Sequence, residues 1–193
     1  MTTKTLTHGT TLGGFKAIMA GVGKHDQPNP WTVSDNDSQM YFYDAVAVAE
    51  DFGREGDELP CHGDSVNSAF ENARLQIAFT GKSNTAVVIV CEVPEHIIEM
   101  DSSCENMPHA RSIQCEEFDP SWITHIYTCD VDMWDAPQIL ACVSDNDMFN
   151  WGEVPEKLVR LSKILAKNGD GFDDLYDYDM IPQTMEKFIK DNA

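Results

Sequence analysis

Positive charge is what this chain has least of: 13 lysines and arginines stand against 33 aspartates and glutamates in 193 residues, a formal net charge of −20. Such an excess repels free nucleic acid, whose binding depends on neutralising phosphates, so no direct nucleic-acid partner is expected. Long apolar runs are missing too. No segment approaches the ~20 residues that a membrane-crossing helix needs, and no membrane partner is expected. The opening residues, Met1-Thr2-Thr3-Lys4, have no apolar stretch of the kind that heads a secretion signal, which makes a cytoplasmic location the expectation. The six cysteines, at 61, 91, 104, 115, 129 and 142, lack the short paired spacings of zinc sites. His25, His62, His96, His109 and His125 likewise lack helical metal spacing, so reduced thiols and no metal are expected.

What is present is enough for a folded domain. Hydrophobic residues at 42% and aromatics at 9% exclude wholesale disorder, and the length suits one domain, or one domain with an appendage. Residues 1–34 carry Lys4, Lys16 and Lys24 against Asp26 alone, and the acidity lies downstream. A near-neutral island of this kind suits an anionic dinucleotide, and a partly buried first element would carry few charges for packing reasons alone.

The stretch from Leu6 to Asp44 reads as strand, helix, strand. His8-Gly9-Thr10 ends an apolar strand with a ring, a bare backbone and a hydroxyl, a combination that lets another group approach the main chain closely. Phe15, Ile18, Met19 and Val22 recur at helical spacing before Gly21 and Gly23, and Trp31-Thr32-Val33-Ser34 follows as a short extended run. Met40-Tyr41-Phe42-Tyr43 is an aromatic strand whose two tyrosines share one face while Phe42 takes the other. Ala45 to Phe52 predicts a short helix, and 53–63 a polar loop.

At these residues the chain resembles the ADP-ribosyltransferase fold, in particular its poly(ADP-ribose) polymerase and RNA 2′-phosphotransferase side. The resemblance lies in the order His8-Gly9-Thr10, helix, Tyr41-Phe42, and covers roughly residues 5–130. It implies an α+β fold: an ADP-ribosyltransferase-like split β-sheet core with flanking helices over 1–130, then a helical C-terminal extension, 131–193, packed on the same domain. It also implies NAD as co-substrate. His8 would hold the adenosine ribose, the Gly9 backbone would pair with the nicotinamide amide next to Thr10, and Tyr41 would stack on the nicotinamide ring, with Phe52 closing its other side.

Further along, Ser68-Ala69-Phe70-Glu71 has a capping-box pattern, with Val66, Ala69, Phe70, Ala73 and Ile77 in one stripe ended by Gly81. The β-branched run from Thr85 to Val93, closed by Pro94, predicts a central strand buried on both faces. Residues 100–107 read as a loop. Ser112 to Phe118 and Trp122 to Thr128 read as a hairpin-like pair around Asp119-Pro120-Ser121. In the resembling family this segment carries the acid that stabilises the oxocarbenium-like transition state. Counting back from Pro120 lands on Arg111, Ser112 or Gln114, whereas the carboxylates Glu116 and Glu117 come later. Glu116 is the first candidate because a continuing strand would give it one face with Gln114 and Ser112, and Gln114 is the second. Plain alternatives stand beside each: an exposed strand end for Glu116-Glu117, a satisfied half-buried histidine for His8, a core ring for Tyr41.

Beyond Asp130 the expectations are a helix from Glu156 to Lys167 with Leu158, Leu161, Ile164 and Leu165 inward, a solvated acidic loop over 173–179, and a final helix from about Gln183 to Asp191. Asn168-Gly169-Asp170-Gly171 is no EF-hand, since Gly171 at the sharp turn sets Ala166 at the first ligand position. Val143-Ser144-Asp145-Asn146-Asp147 repeats Val33 to Asp37, without matching flanks. Two functions emerge. One is an NAD-dependent ADP-ribosyltransferase that releases nicotinamide and modifies a macromolecular acceptor, more plausibly a basic protein. The other is a non-catalytic acidic inhibitor that mimics DNA and occupies a nucleic-acid-binding protein.

Overall fold

A computed structural model describes residues 2–21, 30, 39–53, 63–81, 84–101, 107–147, 149–168 and 179–192. The expected run Trp31-Thr32-Val33-Ser34, the first copy of the five-residue repeat, Val22, Gly23, Lys24, Asp26, Cys61, Cys104, His25 and His62 lie outside these residues. So do most of the 53–63 loop, the centre of the 100–107 loop, Gly169 to Gly171, and the acids from Asp173 to Asp177.

The architecture is α+β: one open, antiparallel, seven-stranded sheet with helices on both faces. Its strands are β1 (Thr3–Thr11), β2 (Gln39–Asp44), β3 (Thr85–Pro94), β4 (Glu99–Met100), β5 (Ala110–Gln114), β6 (Ile123–Asp130) and β7 (Ile181–Gln183), in the order β4-β5-β2-β1-β3-β6-β7. The helices are α1 (Leu12–Met19), α2 (Ala45–Asp51), α3 (Gly63–Thr80), α4 (Ala136–Ala141), α5 (Glu156–Asn168) and α6 (Met185–Asn192).

As the β-branched run requires, β3 is central and buried, and its pleat divides the core. Ala86, Val88 and Val90 face α3 and α4, with Val66, Phe70, Ile77, Ile139 and Leu140. Val87, Ile89, Cys91 and Val93 face the opposite layer, with Leu6, Phe15, Phe42 and Ile113, against which Phe188 and Ile189 of α6 pack. Phe15 of α1 and Phe188 of α6 meet at 5.2 Å. Thr11 caps α1 by accepting the Gly14 N–H at 3.1 Å, and Gly21 (φ 67°) and Gly81 (φ 60°) supply the left-handed residues that follow α1 and α3.

Four expectations change. Ser112–Phe118 and Trp122–Thr128 do not pair: β5 lies between β2 and β4, and β6 between β3 and β7. Local alternation announces strands but not their partners, and here the partners come from distant parts of the chain. Ser68 is no cap, because α3 starts five residues earlier at Gly63 and the Ser68 hydroxyl donates to Asp64 O at 3.1 Å. Helix α5 is rotated relative to the expected stripe: Leu158, Val159 and buried Ser162 are inward, Leu161 and Ile164 outward. Ser162 can be buried because its hydroxyl donates to Val159 O at 3.0 Å. Finally, residues beyond 130 add a strand as well as helices, since β7 extends the sheet beside β6.

Candidate functional site

The site begins with a parting of strands. Strand β1 pairs with β3 over all of Thr3–Thr11, but its ladder with β2 covers only Leu6↔Asp44 and Thr7↔Tyr43. Continued in register, Gly9 would face Tyr41. Instead the ladder stops, and the His8 ring spans the gap, Nδ1 lying 2.6 Å from Tyr41 O. A carbonyl only accepts, so His8 Nδ1 is the donor in this contact. His8 is 7% exposed, and its ring leans on Phe42 at 5.3 Å.

Pleating sorts the other candidates. Phe42 and Met40 enter the core on the α1–α6 side, whereas Tyr43 packs toward α3, where Asn72 Nδ2 donates to its hydroxyl at 2.6 Å. Half-buried Tyr41 shares the Tyr43 face, as expected, so the His8 and Tyr41 rings leave the sheet on opposite sides, and His8 Nδ1 reaches the Tyr41 main chain. Across from Tyr41 in the β2–β5 ladder stands Ser112, 1% exposed, and across from Gln39 stands Gln114. The polar groups of β5 that share the tyrosine face are thus a hydroxyl and an amide.

Three candidate residues have surroundings that the sequence did not indicate. Gly9 lacks a side chain because α3 needs the space: a Cβ there would lie 1.7 Å from Ala69 O. Close approach to Gly9 is therefore made by a helix backbone, and the residue is buried. Thr10 is buried, its hydroxyl beside Gly14, where a Cβ would come within 2.0 Å. Glu116 does not continue the β5 face. Strand β5 ends at Gln114, and Cys115–Glu117 is a single 3-10 turn that holds Glu116 and Glu117 exposed. Phe118 then turns inward, stacking on Phe42 at 6.0 Å and meeting Trp122 edge-on at 5.8 Å, which is the packing reason for the turn. Phe52 lies just past α2 and is 65% exposed.

A buried ionic cluster closes the other end of the β1–β2 seam. Asp44, the last residue of β2, is almost wholly buried, takes Lys4 Nζ at 2.7 Å and Arg111 Nη2 at 3.1 Å, and caps α2 through the Ala47 N–H at 3.3 Å. Burial alone would raise its pKa, but the Lys4 hydrogen bond, the Ala47 N–H and the two cations together hold it below the usual value. An aspartate between an aromatic strand and the alanine-rich helix Ala45–Asp51 is an N-cap signal, so its position was readable although its cations were not.

Cys91, Cys129 and Cys142 are held away from the thiolate form. Burial raises the Cys91 thiol strongly, and it pushes Cys142 up to about 12, where the thiol stays protonated. No group of three His, Cys, Asp or Glu side chains among the described residues could hold a metal ion, and no described helix is long and apolar enough to cross a membrane. Comparison with protein-family models, with curated proteins and with solved structures finds no match for this chain.

Proposed function

We propose that the chain is an NAD-using ADP-ribosyltransferase whose ligand enters the gap between β1 and β2 and whose acceptor is a basic protein. The observation that carries this reading is the short β1–β2 ladder together with the His8 Nδ1 contact to Tyr41 O, which brings β1 at His8 beside β2 at Tyr41. His8 suits a ribose hydroxyl, and the Gly9 main chain suits an amide. Tyr41 supplies the ring for stacking, and exposed Phe52 has the area to cover the ligand from outside.

Cleaving the nicotinamide–ribose bond develops positive charge on the sugar, and the chain must answer it with an acceptor. Gln114, half-buried at the end of β5, is a neutral one, and Glu116, two residues on in the turn, is the charged one. The stronger electrostatics of a carboxylate assigns the catalytic role to Glu116, with Gln114 holding the ribose. The −20 charge favours a cationic acceptor.

The test follows NAD through binding and turnover separately. Millimolar NAD should raise the melting temperature, because a ligand held only by the native state stabilises it by mass action, and His8→Ala should abolish the rise. Glu116→Gln should leave that rise intact while lowering nicotinamide release about 10²-fold. If Gln114→Ala removes turnover and Glu116→Gln does not, the two roles are exchanged. Absence of both a melting shift and nicotinamide release in the wild-type protein would overturn the proposal and leave the acidic inhibitor, supported by charge alone.

A further inference from the structure

Helix α5 is an exception to the charge of the molecule. It carries Lys157, Arg160, Lys163 and Lys167 against Glu156 alone, close to a third of the chain's 13 cations within one 13-residue element. Its inner side is occupied, for Leu158 and Val159 pack into the core and Ser162 is buried. On its outer side Leu161 is 39% and Ile164 56% exposed, one turn apart, with Lys157 and Arg160 before them, Lys163 between them and Lys167 after. Among the described residues the cations have only light local ties. Arg160 bonds Glu156 in a pair exposed at both ends, worth little in water, and Lys163 lies over the Trp151 ring at 5.8 Å.

We infer that the outer face of α5 is a docking surface for a short acidic, apolar-bearing segment of a partner protein, independent of the NAD site. Charge complementarity chooses the occupant. Carboxylates on the segment would meet the four cations, and its apolar side chains would cover the exposed parts of Leu161 and Ile164. Compactness chooses it over extended polyanions. At physiological salt charges act over only about 8 Å, so a segment as long as the helix, ~20 Å, is governed by the helix itself. A duplex or an anionic bilayer would run past it onto acidic surroundings, which include exposed Asp145, Asp147 and Glu153 on the preceding connection. The face is one helix wide, which suits weak and reversible binding.

The experiment is fluorescence anisotropy with the intact chain and a labelled helical peptide of about 13 residues, matched to the length of α5, with glutamates on its flanks and leucines at i and i+4. Saturable binding that weakens with salt is expected. Leu161→Ser/Ile164→Ser should weaken it about tenfold, the loss appropriate to two exposed aliphatic contacts. Lys157→Gln/Lys167→Gln should weaken it severalfold, while Lys187→Gln/Lys190→Gln on α6, which removes equal charge elsewhere, should leave it unchanged. Circular dichroism and melting of each variant keep unfolding apart from lost contact. The inference is overturned by failure of the peptide to bind, by equal binding of a leucine-free glutamate peptide, or by equal effects of the α5 and α6 charge variants. It is also overturned if phosphatidylserine vesicles or a DNA duplex bind more tightly than the peptide, or if the face proves to join two copies of the chain, seen as a dimer that Leu161→Ser/Ile164→Ser dissolves.

Discussion

A Cβ on Gly9 would stand 1.7 Å from Ala69 O, and one on Gly14 would stand 2.0 Å from Thr10 Oγ1. The two obstacles differ in kind. The first is main chain inside a packed helix, whose withdrawal would part α3 from the sheet; the second is a hydroxyl that a rotamer change can move. Gly9→Ala should therefore cost about 3 kcal/mol in urea unfolding, at the upper end for overpacking. Gly14→Ala should change stability by less than about 1 kcal/mol, because alanine's better helix propensity offsets the crowding. Equal losses would mean that α3 shifts easily on β1. His8-Gly9-Thr10 could be read as a motif in the sequence, but what presses on its glycine could not: Ala69 follows it by sixty residues, and backbone-to-backbone contact leaves no trace in hydropathy or spacing.

Between elements, the β1–β2 seam is held by two residue pairs, the His8 bridge and the Asp44 cluster. Asp44→Asn removes the charge that Lys4 and Arg111 share, leaving Arg111 largely buried without its counter-ion. A loss of about 3 kcal/mol is expected, as for broken buried pairs. The pH dependence has a definite sign. Because Asp44 is held below the ordinary aspartate value, the unfolded chain binds its proton more readily, so its contribution is whole above about pH 4 and is lost as pH falls through the lowered folded-state value. Wild-type stability should therefore fall more steeply than that of Asp44→Asn below pH 4, and parallel curves from unfolding at several pH values would contradict the cluster. Segments with strong periodicity, β3 and α3 above all, were legible in advance as elements. Partners were not, since β5 alternates in the same way whether it joins β6 or β2. Strand β7, Ile181-Pro182-Gln183, is too short for any period and contains a proline, which an edge strand tolerates.

For the whole molecule the net charge of −20 is a standing self-repulsion in the compact state. Screening it should stabilise the fold. Scanning calorimetry from low salt to about 0.5 M sodium chloride should show the melting temperature rising by about 3 °C or more, near 1 kcal/mol for a chain of this size. A fall instead would mean that attractive pairs such as Lys4–Asp44 outweigh the repulsion. The presence of both strands and helices, the acidity and the amphipathic character of α5 follow from the sequence alone, because composition and local period depend on near neighbours. Tertiary structure decided the rest: that β1 and β2 part after Thr7, that α3 fills the space over Gly9, that Glu116 leaves the strand in a turn, and that Leu161 and Ile164 face outward. Each depends on which distant backbone is hydrogen-bonded or packed alongside, and those partners are selected by the folded whole rather than by any stretch of residues read in isolation.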